Sequence, residues 1–174
     1  MTLLLKQLFQ FIKLLNSETG AYQIATGVAM GFVLGMTPML SLQTLLVFLL
    51  LLFFRIQIGA AFVTAFFFKF AAYLLDPLFH QVGHAVLSMD SLKPIFTSLY
   101  NMPIVPFTRF YNTIVMGSGV VAFALSPLVF FFSLWFVKKY RELIVARFKE
   151  TQFFKALKAT SFYKWYLKYD EYYG

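Results

Sequence analysis

Lys69, Tyr73, Asp76, His80 and His84 follow one another at intervals of four, three, four and four residues, so a continuous helix presents all five on one face. An ammonium, a phenol, a carboxylate and two imidazoles in a row could hold a charged substrate or pass protons. Long apolar sequence flanks Lys69 and Asp76 on both sides. A charge at mid-bilayer costs about 3 kcal/mol on insertion scales, so the two must pair or face water, as a structural ion pair or as a relay. Asp76-Pro77 also reads as an N-cap followed by a favoured first helical residue. That reading starts a new helix at Pro77 and moves the histidines toward an interface. Asp76, His80 and His84 lack a fourth metal ligand, and no His-Glu-x-x-His pattern occurs, so neither a metal nor a cofactor is expected.

The elements around this stripe are apolar. Residues 19–54 carry no charge, and within them Gly27, Gly31 and Gly35 repeat every four positions before Thr37-Pro38 interrupts. Pro38 leaves pieces of 16 residues on either side, 21–36 and 39–54. Each is short for a hydrocarbon layer about 30 Å thick, so the pieces read as a helical hairpin that spans or re-enters a membrane. A glycine costs about 1 kcal/mol in a soluble helix, but in lipid a Gly-x-x-x-Gly strip lets another backbone approach closely. Gly27, Gly31 and Gly35 are therefore expected to pack helices, and Gly31 to tolerate nothing large. Pro38 frees backbone groups that lipid cannot satisfy, and such breaks often line a path. Thr37, Pro38 and Gln43 accordingly join the candidates for a substrate or ion path, with Ser41 and Thr44 nearby.

With 60% hydrophobic, 21% aromatic and 13% charged residues, the chain lies far from the soluble average of about a quarter charged. Cysteine is absent, which removes disulfides, thiolate metal sites and thiol nucleophiles. Nine of the fifteen Lys and Arg residues follow position 137, giving most of the net charge of +8 to one end. Lys/Arg excess beside a span faces the cytoplasm. Arg55 and Lys138 fit one side if segments 58–87 and 110–137 make two crossings, which places both termini in the cytoplasm. The expected location is a cytoplasmic (inner) membrane, multi-pass.

Residues 1–18 put Lys6 and Lys13 opposite a leucine-rich face, the pattern of an amphipathic helix lying on a membrane surface or on a partner. The polar break at Ser17 to Gly20 is expected to cap the helix that follows. Residues 88–109 read as an outer loop touching the membrane surface. Segment 110–137 is interrupted at Ser126-Pro127; a shift of 89 residues superposes it on Thr37-Pro38 and pairs Tyr22-Gln23 with Tyr111-Asn112. That suggests either a decayed repeat or a proline kink in one long helix. The tail, 138–174, interleaves lysines with Phe162, Trp165, Tyr166, Tyr169 and Tyr173 on one face, suited to headgroup docking. Without an OB or RRM pattern, it is not expected to bind nucleic acid.

Gly27-Val-Ala-Met-Gly31-Phe-Val-Leu-Gly35-Met-Thr-Pro38, followed by Ser41-Leu-Gln43-Thr44 and a leucine run to Arg55, resembles the prokaryotic membrane family carrying domain of unknown function 2062. The likeness covers about residues 20–87. Ser41 stands where the family has glycine, and Phe67-Phe68-Lys69 where an Asn-Pro pair is expected. The resemblance implies a short-helix membrane domain, found alone or joined to glycosyltransferases of envelope synthesis, and no catalytic residues.

The expected fold is all-α: a polytopic integral membrane protein with proline-broken hairpins, an N-terminal amphipathic helix (1–18), a membrane domain (19–137, with segments 21–36, 39–54, 58–87 and 110–137) and a basic, aromatic helical tail (138–174). The expected function is transport or flipping of a lipid or lipid-linked envelope intermediate, with membrane lipid as partner. The alternative is a membrane anchor or scaffold holding an enzyme or lipid-transfer protein, or a second copy, through the Gly27, Gly31 and Gly35 face. No Ser/His/Asp order, carboxylate pair or phosphate-cradling loop supports an enzyme.

Overall fold

The computed structural model describes residues 19–54 and 56–145. The elements among them are helical: α1 (Ala21–Met36), α2 (Leu42–Phe53), α3 (Ile58–Leu87), α4 (Lys93–Tyr100), a 3-10 turn at Val105–Thr108, α5 (Thr113–Tyr140) and a π-helical turn at Arg141–Val145. The amphipathic helix expected over 1–18, Arg55, and the aromatic face of the tail beyond 145 lie outside the described residues. The chain divides into two units between Val137 and Lys138. Within the second, Lys139 Nζ and Glu142 Oε2 pair at 3.2 Å.

Local chemistry sets the boundaries. Gly20, with no side-chain cap, precedes α1 in place of a capping hydroxyl. Pro38 forces Thr37 into extended backbone (φ −89°, ψ 148°), which ends α1. α2 restarts at Leu42 rather than at Met39, because Ser41 caps it by accepting the Thr44 N–H at 3.2 Å, a bond worth about 1 kcal/mol.

At two prolines the sequence left both a break and a continuous helix open, and the helix continues at each. α3 runs unbroken through Pro77, so Asp76-Pro77 does not start a new helix, and the buried Ala72, Phe79 and Gly83 hold both halves against neighbours. α5 likewise runs through Pro127. A proline removes the N–H that would bond the carbonyl four residues back, here that of Phe123. The Ser126 hydroxyl donates to that carbonyl at 2.9 Å and replaces it. The halves superposed by the 89-residue shift therefore differ at their matching prolines. The outer loop expected over 88–109 contains α4 and the 3-10 turn, and Asn112 then caps α5 by accepting the N–H groups of Ile114 and Val115 at 2.9 and 3.2 Å.

The glycines set the helix arrangement. A Cβ on Gly27 would meet Gln57 and Ala60; on Gly31, Ala61 and Thr64; on Gly35, Ala65 and Phe68. The near-constant offset means that α1 and α3 run side by side in the same direction, with their backbones in contact. The Gln57 N–H donates to the Gln23 carbonyl at 3.3 Å where the pair begins. α2 is the return stroke between them. On α3 and α5, Gly83 faces Thr113 and Gly117, and Gly117 faces Phe79, so these two helices cross in opposite directions. Phe32, Val33, Met36, Val47, Ala72, Phe79 and Ala122 form the core where α1, α2, α3 and α5 meet. The Phe32 and Phe68 rings meet edge to face at 4.9 Å.

The outer surface is greasier than this core. α2 buries only Val47 and Leu51, leaving Leu45, Leu46, Phe48, Leu49, Leu52 and Phe53 exposed. α3 and α5 are each long and apolar enough to cross a membrane, and only 28% and 17% of their most apolar stretches are buried. A soluble core helix would hide that surface.

Candidate functional site

The polar groups released by Pro38 are gathered at the tip of the α1–α2 hairpin. Thr37, fully buried, gives both its N–H (3.0 Å) and its hydroxyl (2.8 Å) to the Val33 carbonyl. The Thr44 hydroxyl donates to the Pro38 carbonyl at 2.8 Å. Each hydroxyl has one proton. With the Thr44 proton committed to Pro38, the 3.0 Å contact with Ser41 Oγ is satisfied by Ser41 donating. The Thr37 and Thr44 hydroxyls themselves lie 2.9 Å apart. The Thr37 carbonyl accepts from Lys69 Nζ at 2.8 Å.

Lys69 is the twelfth residue of α3, about 17 Å along it at 1.5 Å per residue. The hairpin therefore climbs roughly halfway up α3 and stops where an ammonium can hold its broken end. Lys69 and Asp76 do not pair: among the described residues the ion pairs are Lys93 with Asp90 and Lys139 with Glu142. Asp76 lies within Coulombic reach of Lys69, is half-buried, and makes no hydrogen bond among the described residues.

The five-residue stripe is continuous in the helix but is not one network. Tyr73 is 68% exposed. His80 turns to α5, its Nδ1 2.7 Å from the Thr113 hydroxyl, and His84 is exposed beside it with ring centroids 6.3 Å apart. Among the described residues no hydrogen bond joins any two of the five, and no three His, Cys, Asp or Glu residues gather as metal ligands. Lys69 belongs to the hairpin tip, while His80 belongs to the crossing at the far end of α3.

Gln43 ties the tip to α5. Its Nε2 reaches the Val115 carbonyl at 3.5 Å, its side chain lies over Gly119, and its Oε1 is buried without a partner among the described residues. The tip is thus joined to α3 by Lys69 and to α5 by Gln43. The glycine strip is fully used inside the chain, since α3 covers Gly27, Gly31 and Gly35. Thr113 and Gly83 were not singled out by sequence. Gly83 and Gly117 form a close approach only across two helices, a relation that no local spacing displays.

The family model for "Uncharacterized protein conserved in bacteria (DUF2062)" matches residues 5–144, well beyond the stretch that carries the sequence resemblance. An "Uncharacterized protein" of Treponema pallidum (strain Nichols) is 30% identical over 122 residues, 70% of this chain and 75% of that protein. No solved structure matches.

Proposed function

Because the chain belongs to the bacterial DUF2062 family, whose description carries no activity, we propose its function from geometry: a multi-pass protein of the cytoplasmic membrane that transports or flips a lipid or lipid-linked envelope intermediate. The supporting observation is the bond from Lys69 to the Thr37 carbonyl. It puts a cation and non-helical backbone together halfway along an apolar helix, a combination tolerated in lipid only where protein or a polar path surrounds it. An ammonium carries three donors, and Thr37 takes one. The other two suit the oxygens of an anionic headgroup. The outward-facing apolar surface of α2, α3 and α5 supports hydrocarbon as the surrounding solvent. A scaffold role through the glycine face would require a partner to displace α3.

The test is reconstitution of the full chain into vesicles with a fluorescent phospholipid whose inner-leaflet pool is protected from a membrane-impermeant quencher. Lys69→Ala should abolish the protein-dependent loss of protection at equal protein content. Unchanged translocation would remove Lys69 from the path. Topology can be checked in cells, since the chain has no cysteine of its own. A Phe107→Cys variant should react with an impermeant maleimide applied outside, and a Leu143→Cys variant only after lysis.

A further inference from the structure

Asp76 is a charge that the hairpin tip leaves unsatisfied. It follows Lys69 by seven residues on the same face of α3, two turns or about 10 Å along the axis. Helix neighbours pair directly at three or four residues, and Lys69 is already held by the Thr37 carbonyl, so the two charges do not meet. Among the described residues Asp76 is half-buried, has no ion-pair partner and makes no hydrogen bond. A carboxylate on an apolar membrane helix is costly without a donor. Lys69 in turn keeps two N–H donors after Thr37 takes one. Tyr73, between them on the same face, is 68% exposed, so the interval is open.

The interval has both a length and a polarity. Side chains lean alike toward the N-terminal end of a helix, so the axial separation carries over to the charged tips. A charge-assisted hydrogen bond of about 2.8 Å at each end leaves about 5 Å for the ligand itself. That is the reach from a phosphate oxygen across two carbons to an amine. A trimethylated amine carries the positive charge but has no N–H for the carboxylate. A glycerol headgroup has no cation and leaves Asp76 bare.

We propose that the face from Lys69 to Asp76 binds a phospholipid headgroup with a primary amine two carbons from its phosphate, Lys69 donating to the phosphate and the ammonium donating to Asp76. The inference rests on the reading of Lys69 above and names its substrate class.

The test uses the full-length protein in micelles doped with equal amounts of phosphatidylethanolamine, phosphatidylcholine and phosphatidylglycerol of identical acyl chains, with bound lipid counted by native mass spectrometry. The ethanolamine lipid should be retained at least about tenfold over each of the others, the weight of one charge-assisted hydrogen bond. Asp76→Asn should erase that preference, and Asp76→Glu, which keeps the carboxylate, should preserve its order. Equal retention of the three lipids by the unsubstituted chain would overturn the inference, as would a preference that survives Asp76→Asn. The comparison among headgroups needs no variant, so it decides the matter even where Asp76→Asn fails to fold. Transport fails separately: selective retention without translocation of an acyl-labelled ethanolamine lipid in the vesicle assay would remove the transport reading and uphold the headgroup site.

Discussion

Two Ser/Thr-Pro pairs, 89 residues apart, end differently. At Ser126-Pro127 the helix continues, and at Thr37-Pro38 it stops and reverses. In both places a proline leaves carbonyls without donors, and in both a hydroxyl of the preceding residue bonds back to its own helix. The difference lies in where the remaining donors come from. α5 repairs itself with Ser126. The hairpin tip draws on Thr44 from α2 and on Lys69 from α3, so its break is stable only while three elements are together. A proline break becomes architecture when tertiary neighbours take over the freed backbone.

The strongest way to break this contrast is to separate the neighbours. Gly31→Leu would drive a side chain into the Ala61 backbone and the Thr64 side chain. Overpacking against flexible side chains costs about 1–3 kcal/mol, and here backbone blocks relaxation, so we expect at least about 3 kcal/mol in reversible unfolding from mixed micelles. Gly20→Leu, where nothing lies within 4 Å, should show almost none of that loss.

The next effect is local. Lys69→Met orphans the Thr37 carbonyl, yet it also removes an ammonium whose placement costs about 3 kcal/mol on insertion scales, so global stability should hardly fall. Hydrogen exchange at the tip should nevertheless accelerate roughly tenfold to a hundredfold, reflecting a charged bond of about 1.5–3 kcal/mol. Amides of α5 around Pro127 should not change. Equal acceleration in both regions would erase the distinction between them.

The readable parts of the sequence were those fixed by local chemistry. The uncharged run, Pro38 and the four-residue glycine spacing indicate short helices and a packing face, because each acts within one or two turns. Partners were not readable. Spacing on a single helix pointed Lys69 toward Asp76, whereas its bonded partner is a carbonyl 32 residues away that arrives only because the hairpin climbs alongside α3. Gln43 and Val115 are 72 residues apart. Pro77 and Pro127 left a break and a continuous helix both open, because tolerance of a helix-interior proline depends on burial and on a substitute donor.

Gln43 offers a sign reversal. Its amide makes one long bond at 3.5 Å and buries an oxygen without a partner among the described residues. Gln43→Met keeps the length and removes the orphan, so the protein should be unchanged or gain up to about 1 kcal/mol in the same unfolding measurement. A loss of more than about 1 kcal/mol would mean that the Oε1 atom has a partner in the membrane.

The smallest expected effect isolates the self-repair of α5. Ser126→Ala removes the donor that replaces the missing N–H of Pro127, and side-chain hydrogen bonds in membrane helices average about 0.6 kcal/mol. Pro127→Ala restores the backbone N–H to the Phe123 carbonyl, so in that background the serine hydroxyl is redundant and Ser126→Ala should cost almost nothing. The cycle should therefore show a coupling close to the whole single-mutant cost. The same design at the tip, Thr44→Val with and without Pro38→Ala, should not cancel. There, restoring one N–H on α1 does nothing for the Thr37 carbonyl held by Lys69 or for the Ser41 cap of α2. Cancellation at both prolines would mean that the hairpin reverses for reasons internal to its own helices, and that Lys69 is incidental to the break.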